Sequence, residues 1–326
     1  MLPLKIIATG IATPTCKVTS AQLDTQLGLP SGTVEAQSGV ASRQYAPDTQ
    51  LQSELAALAV QDAISRANVP TDSVDLLLSV SGVTQQAMPS MAAAIAQHLN
   101  LEPGTPAFDL NASCIGFLTG LQVAASLLNT RQYSRIALVA SDLASRGVNW
   151  DSPESSLIFG DGAAATILEL GDGTTGIRAF KIETYPEGFN HCEVRAGGTR
   201  RNPRVGDEPL DYLFRMDGKA VFRLALKTLP AMLERVLQDA QVLLPEINAI
   251  IPHQASHLGM AHVTKRLGFS EDKVINIYAT HGNQVSASIP TALHYAFENG
   301  FLKPGHKTLI MGTAAGFTLG AAVLEV

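Results

Sequence analysis

Charged residues are scarce in this sequence, since Asp, Glu, Lys and Arg make up 16% of its 326 residues. The net charge is −6 at pH 7 and the isoelectric point is about 5.7. Nucleic-acid binders are usually basic, so this charge balance argues against a nucleic acid as partner. Hydrophobic residues, by contrast, reach 46%. A chain of this size and composition buries a large core, in one domain or in two.

Cysteines and long apolar runs are also few. The three cysteines, Cys16, Cys114 and Cys192, show no regular spacing, which excludes a disulfide framework and a zinc site. Free thiols indicate a reducing compartment, and we expect the protein in the cytoplasm. No apolar run reaches about 18 residues and the N-terminus lacks a long apolar stretch, so we expect neither a membrane span nor a signal peptide.

The two halves of the sequence resemble each other. Similar segments follow in the same order, as the pairs 60–78 and 237–251, 91–114 and 260–281, and 159–170 and 317–326. Helical and strand patterns alternate within each copy, which predicts an α/β fold of two pseudo-symmetric halves, residues 1–171 and residues 172–326. A twofold relation between the halves would bring the turn at Cys114 opposite the turn at 281–283.

Cys114 lies where a predicted strand gives way to a predicted helix. The free N–H groups and positive dipole end of a helix N-terminus favour a thiolate, the reactive form of cysteine. We therefore expect Cys114 to be a nucleophile. The alternative is a buried cysteine that packs as a small hydrophobic residue.

His253 and Asn283 follow two further predicted strands, at the ends where active sites of open α/β sheets gather. A thiolate, an imidazole and a neutral amide donor are sufficient for acyl transfer. Each residue also has a simpler interpretation, because His253 can be a hydrogen-bonded structural histidine and Asn283 a turn former. His281 lies near Asn283 and competes for the role of base.

Six segments together give the chain a resemblance to a known family. They are residues 108–117 around Cys114, 158–163, 216–222, 252–255, 281–290 and 316–320. On these segments the sequence resembles the β-ketoacyl-acyl-carrier-protein synthases III, condensing enzymes with the thiolase fold, a layered αβαβα arrangement. The resemblance implies decarboxylative Claisen condensation of a Cys-bound acyl group with malonyl-acyl-carrier protein, the step that initiates fatty-acid synthesis.

The resemblance also implies roles for individual residues. Cys114 would carry the acyl group, while His253 and Asn283 would hold the malonyl thioester carbonyl as carbon dioxide leaves. The N–H groups of Cys114 and Gly316 would form the oxyanion hole. The remaining assignments are substrate binding by Met88, Phe159, Arg223 and Ser256, with Met88 reaching across a homodimer, and docking of the acyl carrier protein by Arg223, Lys265 and Arg266. The implied partners are acyl and malonyl thioesters, and no metal or organic cofactor is implied.

Five positions depart from the family pattern. The tryptophan and basic residues that hold coenzyme A in the family are replaced at Thr33, Gln37, Pro153 and Leu258, and an asparagine is replaced by Ser256. Stacking and phosphate pairing would be lost, so we expect an acyl donor other than acetyl-coenzyme A. Three alternatives remain open: a specialised condensing enzyme of secondary metabolism or cofactor synthesis, a catalytically idle carrier-binding partner, and a cysteine hydrolase, which lacks support from a papain-like signature.

Overall fold

The computed structural model describes residues 1–326. Its strands are β1 (Leu2–Pro3), β2 (Lys5–Ala12), β3 (Cys16–Thr19), β4 (Ser42–Tyr45), β5 (Leu76–Ser79), β6 (Ala107–Asp109), β7 (Arg135–Asp142), β8 (Gly162–Glu169), β9 (Gly176–Thr184), β10 (Cys192–Glu193), β11 (Arg215–Met216), β12 (Ala249–Pro252), β13 (Lys307–Ala314) and β14 (Thr318–Glu325). Its α-helices are α1 (Ser20–Gln26), α2 (Thr33–Ser38), α3 (Gln52–Ala67), α4 (Met91–Leu99), α5 (Gly116–Asn129), α6 (Pro153–Ser156), α7 (Gly218–Ala240), α8 (His257–Arg266), α9 (Tyr278–His281) and α10 (Ser288–Glu298).

Two five-stranded sheets repeat one pattern. Their strand orders are β2-β8-β7-β5-β6 and β1-β9-β14-β13-β12. The pair β5–β7 is parallel and β7–β8 antiparallel, and the corresponding pairs β12–β13 and β13–β14 match them. A parallel bridge from Ile250 to Val274 extends the second sheet at the position that β6 occupies in the first. The predicted α/β fold of two pseudo-symmetric halves is confirmed.

Helices α5 and α10 lie between the two sheets. Helix α5 contacts β7 in one sheet and β9 and β14 in the other, while α3 and α4 cover the outer face of the first sheet and α7 that of the second. Helix α5 contains no charged residue, which suits a helix packed on both sides. The layers therefore follow the expected order αβαβα.

Both halves contribute to the central core. A cluster of 30 buried residues joins the two sheets through α5 and α10. Strand β1, from the start of the chain, pairs with β9 of the second half. The division into residues 1–171 and 172–326 stays a prediction. No helix combines the length and hydrophobicity needed to cross a membrane.

Candidate active site

Cys114 lies in a short 3-10 turn, Ser113–Ile115, and α5 begins after it at Gly116. Ser113 has φ +48°, in the left-handed region that residues other than glycine rarely adopt. Its backbone N–H donates to Oδ1 of Asn111 at 2.9 Å, which holds this turn. Cys114 therefore follows a strained residue and stands half-buried just before the helix.

Burial is the main cause that raises the pKa of the Cys114 thiol to about 12, and the neighbouring Cys192 and Asp142 contribute to this rise. The N–H groups of Ala315 and of Cys114 itself lower this pKa, but by less than burial raises it. The prediction that Cys114 is a thiolate is therefore wrong for the free protein at neutral pH. Loss of hydration at the sulfur outweighs the polar groups at the start of the helix.

Cys192 is a neighbour of Cys114 that the sequence does not point to. It forms β10 and pairs with Met216 of β11. Burial raises the pKa of its thiol to about 12, and its charge would act on Cys114. The two cysteines are far apart in sequence and share no motif, so only the fold reveals that they are close.

His253 directly follows β12 and is 5% exposed. Its backbone N–H donates to the carbonyl of Met311 at 2.8 Å, which fixes the residue against β13. The ring atom Nδ1 is buried without a hydrogen-bond partner. Burial lowers the pKa of the imidazole to about 4, so His253 is neutral at pH 7.

Asn283 is tied by its backbone to the segment that precedes β8. Its N–H donates to the carbonyl of Ile158 at 2.7 Å, and its carbonyl accepts from the N–H of Gly160 at 3.1 Å. Gly282 has φ +67°, and a Cβ there would lie 2.7 Å from the Ile158 oxygen, so only glycine fits. Phe159 is 5% exposed and packs edge-on against Phe214, which places it among the buried residues behind Asn283.

The segments that carry the three residues meet at one place. A Cβ added to Gly312 would lie 2.9 Å from Cβ of His253 and 3.1 Å from Cγ2 of Ile115. A Cβ added to Gly82 would lie 2.5 Å from Cγ1 of Val285 and 3.6 Å from the carbonyl carbon of Ser113. The residues beside Cys114 thus pack next to the His253 segment and next to the Asn283 segment.

Backbone N–H groups of Ala315, in the turn between β13 and β14, and of Cys114 itself lie beside the sulfur. Gly316 lies in the turn between β13 and β14 with φ +100°, a conformation that favours glycine. Neither its N–H nor that of Cys114 donates to a backbone carbonyl. The N–H of the adjacent Ala315 interacts with the thiol, so this turn borders Cys114.

Asp142 is a second functional candidate that the sequence does not single out. It ends β7, is 1% exposed, and accepts hydrogen bonds from the N–H groups of Gly82 (2.9 Å), Val83 (3.0 Å) and Ser286 (3.1 Å). Burial raises its pKa to about 7 despite these bonds. Its carboxyl group joins two of the turns that pack around Cys114.

A cavity of about 170 Å³ reaches His253 between α7 and α8, above β12 and β13. Twelve of its 20 lining residues are hydrophobic, and none is Asp, Glu, Lys or Arg. Ser256 lies on its wall, where its hydroxyl accepts from the N–H of Gly259 at 3.1 Å and caps α8.

The other expected residues lie on the surface. Met88 is 84% exposed and makes little contact with its own chain. Arg223 on α7 and Lys265 and Arg266 on α8 are exposed and form no ion pair within the chain. Two exposed lysines of α7 flank Arg223 at intervals of four residues and are also free of ion pairs, namely Lys219 and Lys227. No group of three or more His, Cys, Asp or Glu side chains is placed to hold a metal ion.

Comparison with known proteins identifies similar sequences and structures. Two models of the 3-oxoacyl-[acyl-carrier-protein] synthase III family match residues 108–186 and, for its C-terminal part, 237–326. A β-ketoacyl-[acyl-carrier-protein] synthase III of Streptomyces coelicolor is 32% identical over 97% of this chain and 95% of its own. One from Neisseria meningitidis is 31% identical over 98% of both chains. The crystal structure of 3-oxoacyl-(acyl carrier protein) synthase III from Pseudomonas aeruginosa has a TM-score of 0.88 at 28% identity, covering 99% of this chain and 98% of that one.

Proposed function

This chain belongs to the 3-oxoacyl-[acyl-carrier-protein] synthase III family, and from that premise we propose that Cys114, His253 and Asn283 carry out its condensation reaction. The enzyme is an acyltransferase of the thiolase fold that performs the Claisen condensation initiating fatty-acid synthesis. The observation that supports these three residues is the meeting of their segments, together with the unpaired Nδ1 of His253 and the fixed backbone of Asn283.

In the first half-reaction Cys114 becomes acylated. The free enzyme holds a thiol and a neutral imidazole, because burial raises the pKa of Cys114 to about 12 and lowers that of His253 to about 4. The sulfur of Cys114 attacks the carbonyl carbon of the donor thioester, and the C–S bond of the donor breaks. The proton of Cys114 is transferred to the departing thiol. A neutral site of this kind avoids burying an ion pair before the substrate arrives.

In the second half-reaction the malonyl group loses carbon dioxide. Negative charge then develops on the thioester oxygen, and donors aimed at that oxygen stabilise it by about 3 kcal/mol each. Asn283 offers its amide nitrogen and His253 a neutral ring N–H. The enolate carbon attacks the acyl carbon on Cys114, the bond to sulfur breaks, and the sulfur takes up a proton. The N–H groups of Cys114 and Gly316, both without backbone acceptors, serve as the oxyanion hole.

The substrates arrive on acyl carrier protein. Carrier proteins present acidic surfaces, and the cations Lys219, Arg223, Lys227, Lys265 and Arg266 project from α7 and α8, the helices that wall the cavity beside His253. None of them has an acidic partner in the chain, so each is available to a carrier. The enzyme works in the cytoplasm as a homodimer, in which the exposed side chain of Met88 closes the partner's acyl pocket.

One experiment tests this function. The purified enzyme is incubated with a panel of acyl-coenzyme A and acyl-carrier donors, and intact mass identifies the acyl group on Cys114. Malonyl-carrier protein is then added, and the 3-oxoacyl product is measured. An acylated enzyme that forms no 3-oxoacyl product would refute condensation, and acylation of Cys114→Ala would refute the assignment of Cys114 as nucleophile.

Sedimentation velocity of the wild type and of Met88→Glu tests whether the enzyme is a dimer.

A further inference from the structure

The carboxylate of Asp142 is buried without a cation beside it. The residue is 1% exposed and forms no ion pair. Its Oδ1 accepts from the N–H groups of Gly82 and Val83, and its Oδ2 accepts from the N–H of Ser286. Charged groups are rarely buried unless such partners satisfy them, so these backbone groups determine where the carboxylate lies.

One side of this hydrogen-bond pattern leads to Asn283. Ser286 donates its N–H to Asp142 and its hydroxyl to the carbonyl of Val80 at 2.6 Å, so the residue is held at two points. The residue before it, Val285, has a left-handed backbone and donates its N–H to Oδ1 of Asn283. A strained turn persists only where its surroundings hold it, and the bond from Ser286 to Asp142 does so.

The other side of the pattern leads to Cys114. The carbonyl of Gly82 accepts from Nδ2 of Asn111 at 3.4 Å, and Oδ1 of Asn111 accepts from the N–H of Ser113 at 2.9 Å. Ser113 is also in the left-handed region, so its conformation depends on contacts of this kind. A continuous series of hydrogen bonds therefore connects Asp142 with the residue before Cys114.

We propose that Asp142 is a positioning residue of the condensation, whose carboxylate fixes the distance between the amide of Asn283 and the sulfur of Cys114. The proposal rests on the function proposed above, because it concerns the groups that act on the extender and on the acyl chain. Both oxygens of Asp142 are engaged by backbone N–H groups. The residue therefore acts through Asn283 and Cys114, and not on the substrate directly.

The distance between these two groups decides which reaction the enolate undergoes. When carbon dioxide leaves, the electron pair of the broken bond forms an enolate, which the amide of Asn283 holds. If the enolate carbon lies close to the acyl carbon on Cys114, the C–C bond forms, the C–S bond breaks and the sulfur takes a proton. If it lies too far away, it takes a proton from water and the extender leaves as acetyl-carrier protein. A displacement of about 1 Å lowers a rate by about 10²-fold.

The test measures how much of the released carbon dioxide is matched by 3-oxoacyl product. Enzyme with one acyl group preloaded on Cys114 is mixed with malonyl-carrier protein at pH 8, above the pKa of about 7 of Asp142. We expect nearly complete matching in the wild type. Asp142→Asn presents an NH₂ group to the N–H groups of one turn, so it should lower the ratio of product to carbon dioxide about tenfold or more. A loss of folded enzyme alone does not change this ratio.

Asp75→Asn is the matched control. Asp75 precedes β5 and accepts from the N–H groups of Ser134 at 2.7 Å and Arg135 at 3.0 Å, at the opposite end of β7 from Asp142. The variant therefore loses the same kind of bond between a carboxylate and a turn, far from the nucleophile. It should keep the wild-type ratio of product to carbon dioxide.

Asn111→Ala interrupts the same series of hydrogen bonds at an exposed residue, so it replaces Asp142→Asn if that variant does not fold. It should also lower the ratio. An unchanged ratio in the folded variant would overturn the positioning role and leave the proposed function intact. An equally lowered ratio in Asp75→Asn would overturn it too, since general loosening would then be the cause. A wild type that is acylated but forms no 3-oxoacyl product would instead overturn the proposed function.

Discussion

The backbone N–H of Val285 donates a hydrogen bond to Oδ1 of Asn283 at 2.9 Å. This bond fixes the orientation of the amide, because an N–H donor pairs with the oxygen and not with the NH₂ group. The side-chain nitrogen is thereby left as the group available to substrate. Val285 has φ +52°, which is unusual for a β-branched residue and marks a strained turn at this position.

Two substitutions of Asn283 separate its donor from its acceptor. Asn283→Asp keeps an oxygen for Val285 but has no N–H, so it should still acquire an acyl group on Cys114 while losing malonyl decarboxylation by about 10²–10³. Asn283→Ala should lower malonyl decarboxylation by a similar factor. Intact mass measures the first half-reaction and released carbon dioxide the second. An equal loss of both half-reactions would show that Asn283 shapes the nucleophile instead.

Alkylation of Cys114 reports its thiol pKa. Because burial raises this pKa to about 12, the thiolate fraction should grow about tenfold per pH unit between about pH 6 and 9. The rate of carbamidomethylation by iodoacetamide, followed on the Cys114 peptide by mass spectrometry, should rise with it. Free glutathione provides the control, since its rate levels off near the ordinary thiol pKa of about 8.5. An alkylation rate of Cys114 that levels off near pH 7 would show instead that the residue is a thiolate at neutral pH.

Much of the fold was predictable, because the hydrophobic periodicity of strands and helices is a local property of the sequence and the two halves have similar segments in the same order. The placement of His253 and Asn283 at strand ends follows from the same local patterns. The protonation state of Cys114 was not predictable, since it depends on how completely the fold removes water from the sulfur. The closeness of Cys192 to Cys114 and the raised pKa of Asp142 depend on contacts between distant segments, which no local pattern contains.

Stability should depend on the titration of Asp142. Its pKa in the folded protein is about 7, above the ordinary value of 3.8, so between these values the native state holds a proton that the unfolded state has released. The free energy of unfolding therefore falls as pH rises through this range. The free energy of unfolding of the wild type minus that of Asp142→Asn should fall by about 2 to 3 kcal/mol between pH 5 and pH 8. Urea unfolding at both pH values measures this, and a difference that does not change with pH would contradict it.

The acyl donor is expected to be a carrier protein, because the positions that would grip a nucleotide have lost the necessary groups. Thr33 is half-buried and Gln37 exposed on α2, and Leu258 is 69% exposed on α8. Next to these positions α2 and α8 are in contact, because Nδ1 of His257 lies 3.0 Å from the Ser38 carbonyl. Gln37 precedes Ser38 in the sequence, and Leu258 follows His257. These side chains offer neither an aromatic face for adenine nor a cation for phosphate.

Charge reversal distinguishes a carrier protein from coenzyme A. For one acyl group, kcat/KM should be higher from the carrier, and Arg223→Glu or Lys265→Glu should lower the carrier value about tenfold at low salt, because these cations accelerate association with an acidic surface. The difference should shrink at high salt, where surface charges are screened. Lys303→Glu, an equal charge change at an exposed position after α10, should have little effect. An acetyl-coenzyme A efficiency equal to the carrier value, with no salt dependence of the latter, would show that the lost contacts are replaced elsewhere.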